Sequence, residues 1–440
     1  MKKLLNVLPI LSLTAVPLSS LAQAPIEDDT TISEFQETYE AEATLFPIPD
    51  YSGDFWNRAA LTGDWGGVRT RIAKDNGLQF AVDATQIYQG VMDGGRDERW
   101  EYSGTADYRV RFDSGEAGLW PGGFLDIHGE TYWGDGINLA TGAVLPVNTD
   151  RALSAPAGNG TYLPQVQFTQ FLSEKFAITF GKLDTTVGDG NSFAHGVGDR
   201  GFMNLGFSFN PTVLTTAPYS TLGAGFVYLF APRSNFTFSA IDTDGRIDES
   251  GFDTVFEGNT SYIGELNLGT EFFDQPGHQL FGFSYASGNF TSQQQDPRLL
   301  FVAGAPPSSE SESWAFYYNF EQFLVSDPDD PKQGFGLFGR FGVADEDTSI
   351  INTFYSLGVG GKGLIPGREL DRFGLGYYYM TLSDQRLGLL TNDDEQGVEL
   401  FYNMAVTPAF ELSLDLQVID GAVKNTDTAV VGGVRGRLVF

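Results

Sequence analysis

The side chains best suited to chemistry are thinly spread along this chain. Its three histidines, His128, His195 and His278, stand too far apart for a metal-ligand spacing, and the absence of cysteine removes thiolate nucleophiles and zinc thiolate sites. Ser192 lies near His195, the pair that a barrel-type serine lipase would use, but no nucleophile elbow surrounds it. With 57 Asp and Glu residues, spacing alone cannot single out a glycosidase-type pair. The segment DTDGRIDESG, with Asp242, Asp244, Asp248 and Glu249, and the run Asp393 to Glu395 carry oxygen ligands at a density that suits Ca2+. Neither has the full loop spacing, and both read as solvated turns. No catalytic residue, metal or cofactor is therefore assigned. What remains is weak, repeated hydrogen bonding from polar groups along a passage.

The elements able to hold such groups are strands. From Leu78 onward apolar and polar residues alternate with period two. In FELSLDLQV, Phe410, Leu412, Leu414, Leu416 and Val418 fall on one face, and Glu411, Ser413, Asp415 and Gln417 on the other. The preceding VELFYNMAV repeats the pattern, with only Thr407 and Pro408 between the two runs. Short turns at 173–175, 231–234, 274–277 and 407–408 alternate with long Gly-, Asn- and Asp-rich loops at 134–163, 185–220, 244–259 and 288–311. Strands of about ten residues joined in this way predict an all-β, transmembrane antiparallel β-barrel of about 16 strands, with short periplasmic turns and long extracellular loops. That count assigns Gly201 to Phe209 to a loop. A soluble sandwich or propeller explains the alternation but not the two classes of connection.

Composition agrees. After the N-terminal segment no stretch approaches the ~18 uncharged apolar residues of a membrane helix. The chain has 54 Gly, 37 Phe and 18 Tyr, and a closed ladder of backbone hydrogen bonds would do the work of disulfides. Residues 1–24 have the layout of a secretory signal peptide, with Lys2 and Lys3 before an apolar run and cleavage expected after Ala22 or Ala24. Residues 25–55 read as an acidic, flexible leader, and 56–77 as a short N-terminal periplasmic helix with Asp64 as N-cap and Gly77 as stop. The barrel takes residues 78–440. A net charge of -31 excludes nucleic acid and anionic inner-leaflet lipid as partners. The expected surroundings are outer-membrane lipid and lipopolysaccharide. Phe440, ending a strand in which Val434 and Leu438 share its face, reads as the signal to the barrel-assembly machinery. No readable patch chooses between a homotrimer and a monomer.

A barrel of ~16 strands is too wide to be filled by its own side chains and leaves an aqueous channel. Alternation places Asp83, Arg109, Arg111, Asp126, His128, Glu130, Glu265, Glu271, Glu321, Arg340, Glu399, Glu411 and Asp415 on the water-facing side. The loop at 185–220 is rich in Gly, Asn and aromatics where a solvated loop would carry more charge, so it is expected to fold inward and narrow the channel. Its candidates at the constriction are Asn191, Phe193, His195, Arg200, Phe202 and Asn204, whose rings and polar groups suit the apolar faces and hydroxyl edges of sugars. Arg368, in PGRELD, points into the channel mouth or meets a carboxylate on the rim.

Several stretches resemble the carbohydrate-selective porins of the OprB type. The resemblance runs from about Trp56 to Phe440. It is carried chiefly by LTGDWGGVRTRIAKDNGLQFAVDATQIYQGV and GKGLIPGRELDRFGLGYY, then by TFGKLDTT, FMNLGFSFNPT, PYSTLGAG, FGLFGRFG around Arg340 and VTPAFELSLDLQVI. It implies a 16-stranded outer-membrane channel with loops folded into the lumen and a polar constriction passing glucose and related small sugars. The alternative within the same architecture is a general or ion-preferring pore. The departure LSLDLQVI, followed by DGAVKNTDT, bears on selectivity and not on the barrel.

Overall fold

The computed structural model describes residues 46–154, 157–186, 190–253, 255, 258–295, 307–328, 330, 332–383 and 394–440. The expected signal peptide, most of the acidic leader and Asp393 lie outside the described residues. Chain order begins with helix α1 (Val68–Asn76), then β1 (Leu78–Gly95), β2 (Trp100–Asp113) and β3 (Gly123–Gly134). The β3–β4 loop holds the single-turn helix α2 (Thr149–Ala152), and β4 (Gly160–Ser173) and β5 (Phe176–Asp184) follow. After a loop with two 3-10 turns come β6 (Ser220–Ala231), β7 (Ser234–Asp242), β8 (Thr260–Phe272), β9 (Gln275–Thr291) and β10 (Ser309–Ser326). The chain ends with β11 (Gly334–Ala344), β12 (Ile351–Lys362), β13 (Arg372–Leu382), β14 (Glu395–Thr407), β15 (Phe410–Asp420) and β16 (Asp427–Val439).

Each strand pairs antiparallel with its sequence neighbours, and β1 closes on β16, from Asp83 opposite Val439 to Gly95 opposite Asp427. The result is a closed 16-stranded barrel with no free edge, the form in which strands can span an outer membrane. The even count returns both ends to the same rim, where Leu61 N donates to Val439 O and Phe440 N to Val82 O. No described helix is long and apolar enough to cross a membrane; the strands cross instead.

Alternation decides which side chains meet lipid. Leu414, Leu416 and Val418 are exposed on the outside of β15, while Ser413, Asp415 and Gln417 between them are buried inward. Stacked rings run across the outer faces of β10 to β13, from Tyr318 to Phe341, Tyr355 and Tyr379. Aromatic pairs of this kind add to cross-strand stability and suit a lipid-facing surface.

Three expectations need correction. Connection lengths do not alternate strictly: the outer β1–β2 connection is only 96–99, while the periplasmic-side turns at 114–122, 327–333 and 363–371 are longer than tight hairpins. The helix begins at Val68 after Gly67, so Asp64 is not its N-cap residue. Its carboxylate does reach into the first turn, accepting from Thr70 N at 2.8 Å, and Gly77 ends the helix at a φ of 63°. The last part of the leader is also not loose. Phe46 is buried, packing edge-on against Phe124 at 5.6 Å, and Tyr51 stacks under Arg69 at 3.8 Å.

Candidate functional site: a loop-narrowed channel

The inside of the barrel is divided between two kinds of wall. On β11 to β13 several inward positions are glycines, and the described part of the β5–β6 loop from 190 onward lies in the trough they leave. A Cβ at Gly360 would stand 2.6 Å from Phe193 Cβ, one at Gly374 2.6 Å from the Phe202 ring, and one at Gly376 2.5 Å from the Phe207 ring. Such contacts are closer than any side chain tolerates, so glycine is what lets the loop reach the sheet. Phe193, Phe202 and Phe207 join Phe338, Phe354, Tyr378 and Phe401 in an apolar core inside the barrel.

Buried polar groups pin the loop there. The Glu399 carboxylate accepts from Met203 N (2.5 Å) and Asn204 N (2.9 Å), and the Glu321 carboxylate from Ser192 N and Oγ. Arg340 donates to Phe207 O (3.1 Å) and Ala194 O; Arg435 donates to Gly201 O (2.9 Å) and Gly198 O. Residues 135–154 of the β3–β4 loop fold in beside it. Glu395 accepts from Val144 N and Leu145 N, and the two loops join through Thr149 N to Met203 O and Leu205 N to Pro146 O.

The wall from β16 through β1 to β4 is charged, and where the loops do not cover it, as they cover Arg435, Gln89 and Thr105, it faces the passage. Asp126 lies between Arg109 (3.7 Å) and Arg111 (3.6 Å), and Arg437 pairs with Asp83 (3.0 Å). The loop meets this wall through Asp199, 3.6 Å from Arg437, and through Arg200, 3.2 Å from Glu411. Burial pushes the Asp199 carboxyl up, but the Arg437, Arg200 and Arg435 guanidiniums outweigh it and hold the carboxyl at about 2. Asp150 in α2 behaves in the opposite way: burial, reinforced by Asp107, pushes its carboxyl well up, while the Thr105 hydroxyl bonded to it pulls less strongly the other way. Tyr219 donates to Glu130 at 2.6 Å, and burial beside that carboxylate raises the phenol well above its usual range.

His128 comes closer to a metal-ligand arrangement than its sequence spacing suggested. Asp107, His128 and Glu130 each bring a ligand atom within 4.8 Å of the others. The hydrogen bonds argue against a metal. Arg109 can only donate, so its Nη2 at 3.3 Å from His128 Nδ1 makes that nitrogen the acceptor, and Nε2 must carry the proton it offers Asp107 at 2.7 Å. No lone pair on Nε2 is then free for a cation. The DTDGRIDESG carboxylates are similarly occupied, Asp248 and Glu249 by Arg246 and Asp242 by the Asp244 backbone N–H.

The sequence-derived candidates divide accordingly. Arg109 and Arg111 stay partly exposed on the charged wall, Asp126 and Glu130 are buried in it, and Arg200 and His195 remain partly exposed on the loop. Arg340 is a correction: it points inward but is 0% exposed beneath the loop, so it holds the loop and does not line the passage. Phe193, Phe202, Asn191 and Asn204 are likewise buried, Asn191 donating to Phe320 O and accepting from Phe193 N and Ala194 N. Arg368 sits on the periplasmic rim in a two-pronged pair with Asp371 (2.7 and 2.8 Å), and Glu271 is exposed at the end of β8. Asp107, Asp199, Arg435 and Arg437 were not picked out from the sequence as site residues.

A closed barrel with this lumen is a channel, and comparison with known proteins places it. Residues 62–440 match the family model of the carbohydrate-selective porin, OprB family. The chain belongs to that family. It is 23% identical over 428 residues to Porin B of Pseudomonas aeruginosa, spanning 87% of this chain and 92% of that protein. The high-pH structure of Pseudomonas putida OprB superposes with a TM-score of 0.77 at 20% identity, covering 88% of this chain and 100% of that one. The low-pH structure of the same protein gives 0.57 at 16% identity over the same shares. As a porin the protein is an outer-membrane channel for carbohydrate and not an enzyme.

Proposed function

We propose that the channel passes small neutral sugars of monosaccharide size by passive diffusion, and that the wall of Arg109, Asp126 and Arg111 recognises them. The observation that carries this reading is unused hydrogen-bonding capacity. Arg109 Nη1, Arg111 Nε and Asp126 Oδ1 have no hydrogen-bond partner and are themselves covered, but the Arg109 and Arg111 side chains keep 21% and 15% exposure beside Asp126, at 3.6 to 3.7 Å from it. Two guanidiniums and a carboxylate so placed offer donors and acceptors to neighbouring hydroxyls of one solute. Each exchange with water yields only about 0.5–1.5 kcal/mol, weak enough for release. The loop's rings are consumed by the glycine trough, so recognition rests on hydroxyl bonding and not on stacking against Phe193 or Phe202. Phe440, ending the closing strand, serves as the signal to the barrel-assembly machinery.

Liposome swelling with a size series of neutral sugars, beside charged solutes and linear polyols, tests this. Glucose-sized solutes should enter faster than disaccharides and anions, and Arg109→Gln or Asp126→Asn should abolish the preference without closing the channel. Flux that tracks solute size alone and ignores both substitutions would leave a general diffusion pore.

A further inference from the structure

Below the folded loop, at the periplasmic end of the barrel, two cations face each other without an evident reason. Lys362 is the last residue of β12 and Arg372 the first of β13, and they are direct partners in the ladder. Both fall on the inward parity of Gly360 and Gly374, one step beyond the glycines that receive Phe193 and Phe202. Like charges directly opposite in a sheet destabilise it. Among the described residues neither side chain has a hydrogen bond or ion pair, and both are only partly buried. Arg200 lies within electrostatic range of both while keeping 39% side-chain exposure.

The carboxylates in electrostatic range, Asp330 for Lys362 and Glu411 and Asp199 for Arg372, make their hydrogen bonds and close pairs with other groups. Glu411 pairs with Arg200, Asp199 with Arg437, and Asp330 accepts from Gln333 Nε2 (2.9 Å) and Lys332 N (3.1 Å) in its own turn. Lys332 adds a further positive charge nearby. The lipid-facing neighbours are Gly361 and Phe373, so lipid headgroups outside the barrel do not explain the pair.

We propose that Lys362 and Arg372, with Arg200 above them, form an oxyanion-binding station on the periplasmic side of the constriction, taking a carboxylate or phosphate carried by a small solute. A guanidinium and an ammonium converging from adjacent strands suit two oxygens of one anion. The station requires an open lumen but not the sugar preference proposed above.

The test is single-channel recording of the full-length mature protein, with sodium gluconate or inorganic phosphate added on the side of the short turns. Interruption of the current by either probe supports the station, and the more potent one identifies the source of the oxyanion as a sugar acid or free phosphate. Lys362→Gln and Arg372→Gln should each weaken the block about tenfold, the size of one charge-assisted hydrogen bond, while Lys74→Gln on the exposed face of α1 leaves it unchanged. A measurement that needs no variant is salt dependence: block should weaken as KCl rises from about 0.1 to about 1 M. Absence of block by both probes, block insensitive to the two substitutions, or block insensitive to salt would overturn the proposal. Swelling with neutral sugars on the same preparations reports separately on the sugar reading.

Discussion

Replacing Arg340 by Ala should widen the channel, although Arg340 does not line it. The guanidinium is fully buried and donates to Phe207 O and Ala194 O, on opposite arms of the β5–β6 loop. Charge-assisted hydrogen bonds contribute about 1.5–3 kcal/mol each, so the gross loss is about 3–6 kcal/mol. Water entering from the lumen would return part of that, leaving the lower end as the expected effect. About 3 kcal/mol corresponds to roughly a hundredfold shift between loop-in and loop-out states. The ladder of β11 with β10 and β12 runs through backbone atoms and does not depend on this side chain, so the barrel should still fold. Single-channel recording should show higher mean conductance with added noise, and swelling should admit larger sugars. Arg340→Lys, which keeps a donor and the charge, should recover part of the wild-type behaviour. A quiet channel of unchanged conductance, altered only in its preference among sugars of one size, would refute the argument and return Arg340 to the lining.

Gly376→Ala should act in the same direction by a different route. The new methyl would meet the Phe207 ring at 2.5 Å, an overpacking that costs about 1–3 kcal/mol and falls on the loop, so noise should rise while heat-modified gel mobility stays that of a folded barrel. Unchanged noise would show that the loop does not depend on the trough. Asp199 gives a pH prediction. Its folded carboxyl titrates at about 2, below the ordinary 3.8, so its pairing with Arg437 is at full strength above about pH 4 and is lost as the pH falls toward 2. Channel noise in acid should therefore rise in that window, and Asp199→Asn should remove that component. An identical acid response in the variant would exclude Asp199 as the cause.

The barrel was legible because period-two alternation is local: in FELSLDLQV each residue's face follows from its neighbours, and the observed exposures of Leu414 and Asp415 agree. The inward orientation of Arg109, Asp126, Glu399 and Arg340 was legible for the same reason. What alternation cannot tell is whether an inward side chain meets water or a loop. Arg109 and Arg340 have the same pattern around them, yet one borders the passage and the other lies under Phe207 and Ala194. A signal for the difference was present in the inward glycines of β11 to β13, at 336, 342, 360, 374 and 376, since a wall without side chains marks the close approach of another segment. The constriction candidates Phe193 and Phe202 were chosen for ring chemistry that a sugar could use, but burying them inside the barrel takes their apolar area from water, and that outcome prevails.

The division of the inner wall also separates two properties usually treated together. The size cut-off depends on how far the loop stands from β11 to β14, which is set by the glycines, the phenylalanines and the buried clasps of Glu321, Arg340, Glu399 and Arg435. Preference among solutes that fit depends on the wall from β16 to β4, where the partly exposed Asp83, Arg109 and Arg111 stand beside the buried Asp126 and Arg437 in alternating charge. Alternating signs over a short distance give hydrogen-bonding capacity without a strong net field, which favours a neutral polyhydroxyl solute over a monovalent ion of either sign. Substitutions in the trough should therefore shift the size limit for all solutes alike, and those on the charged wall should reorder solutes of equal size. A trough variant that reordered equal-sized sugars would mean that the loop, and not the wall, makes the selective contacts.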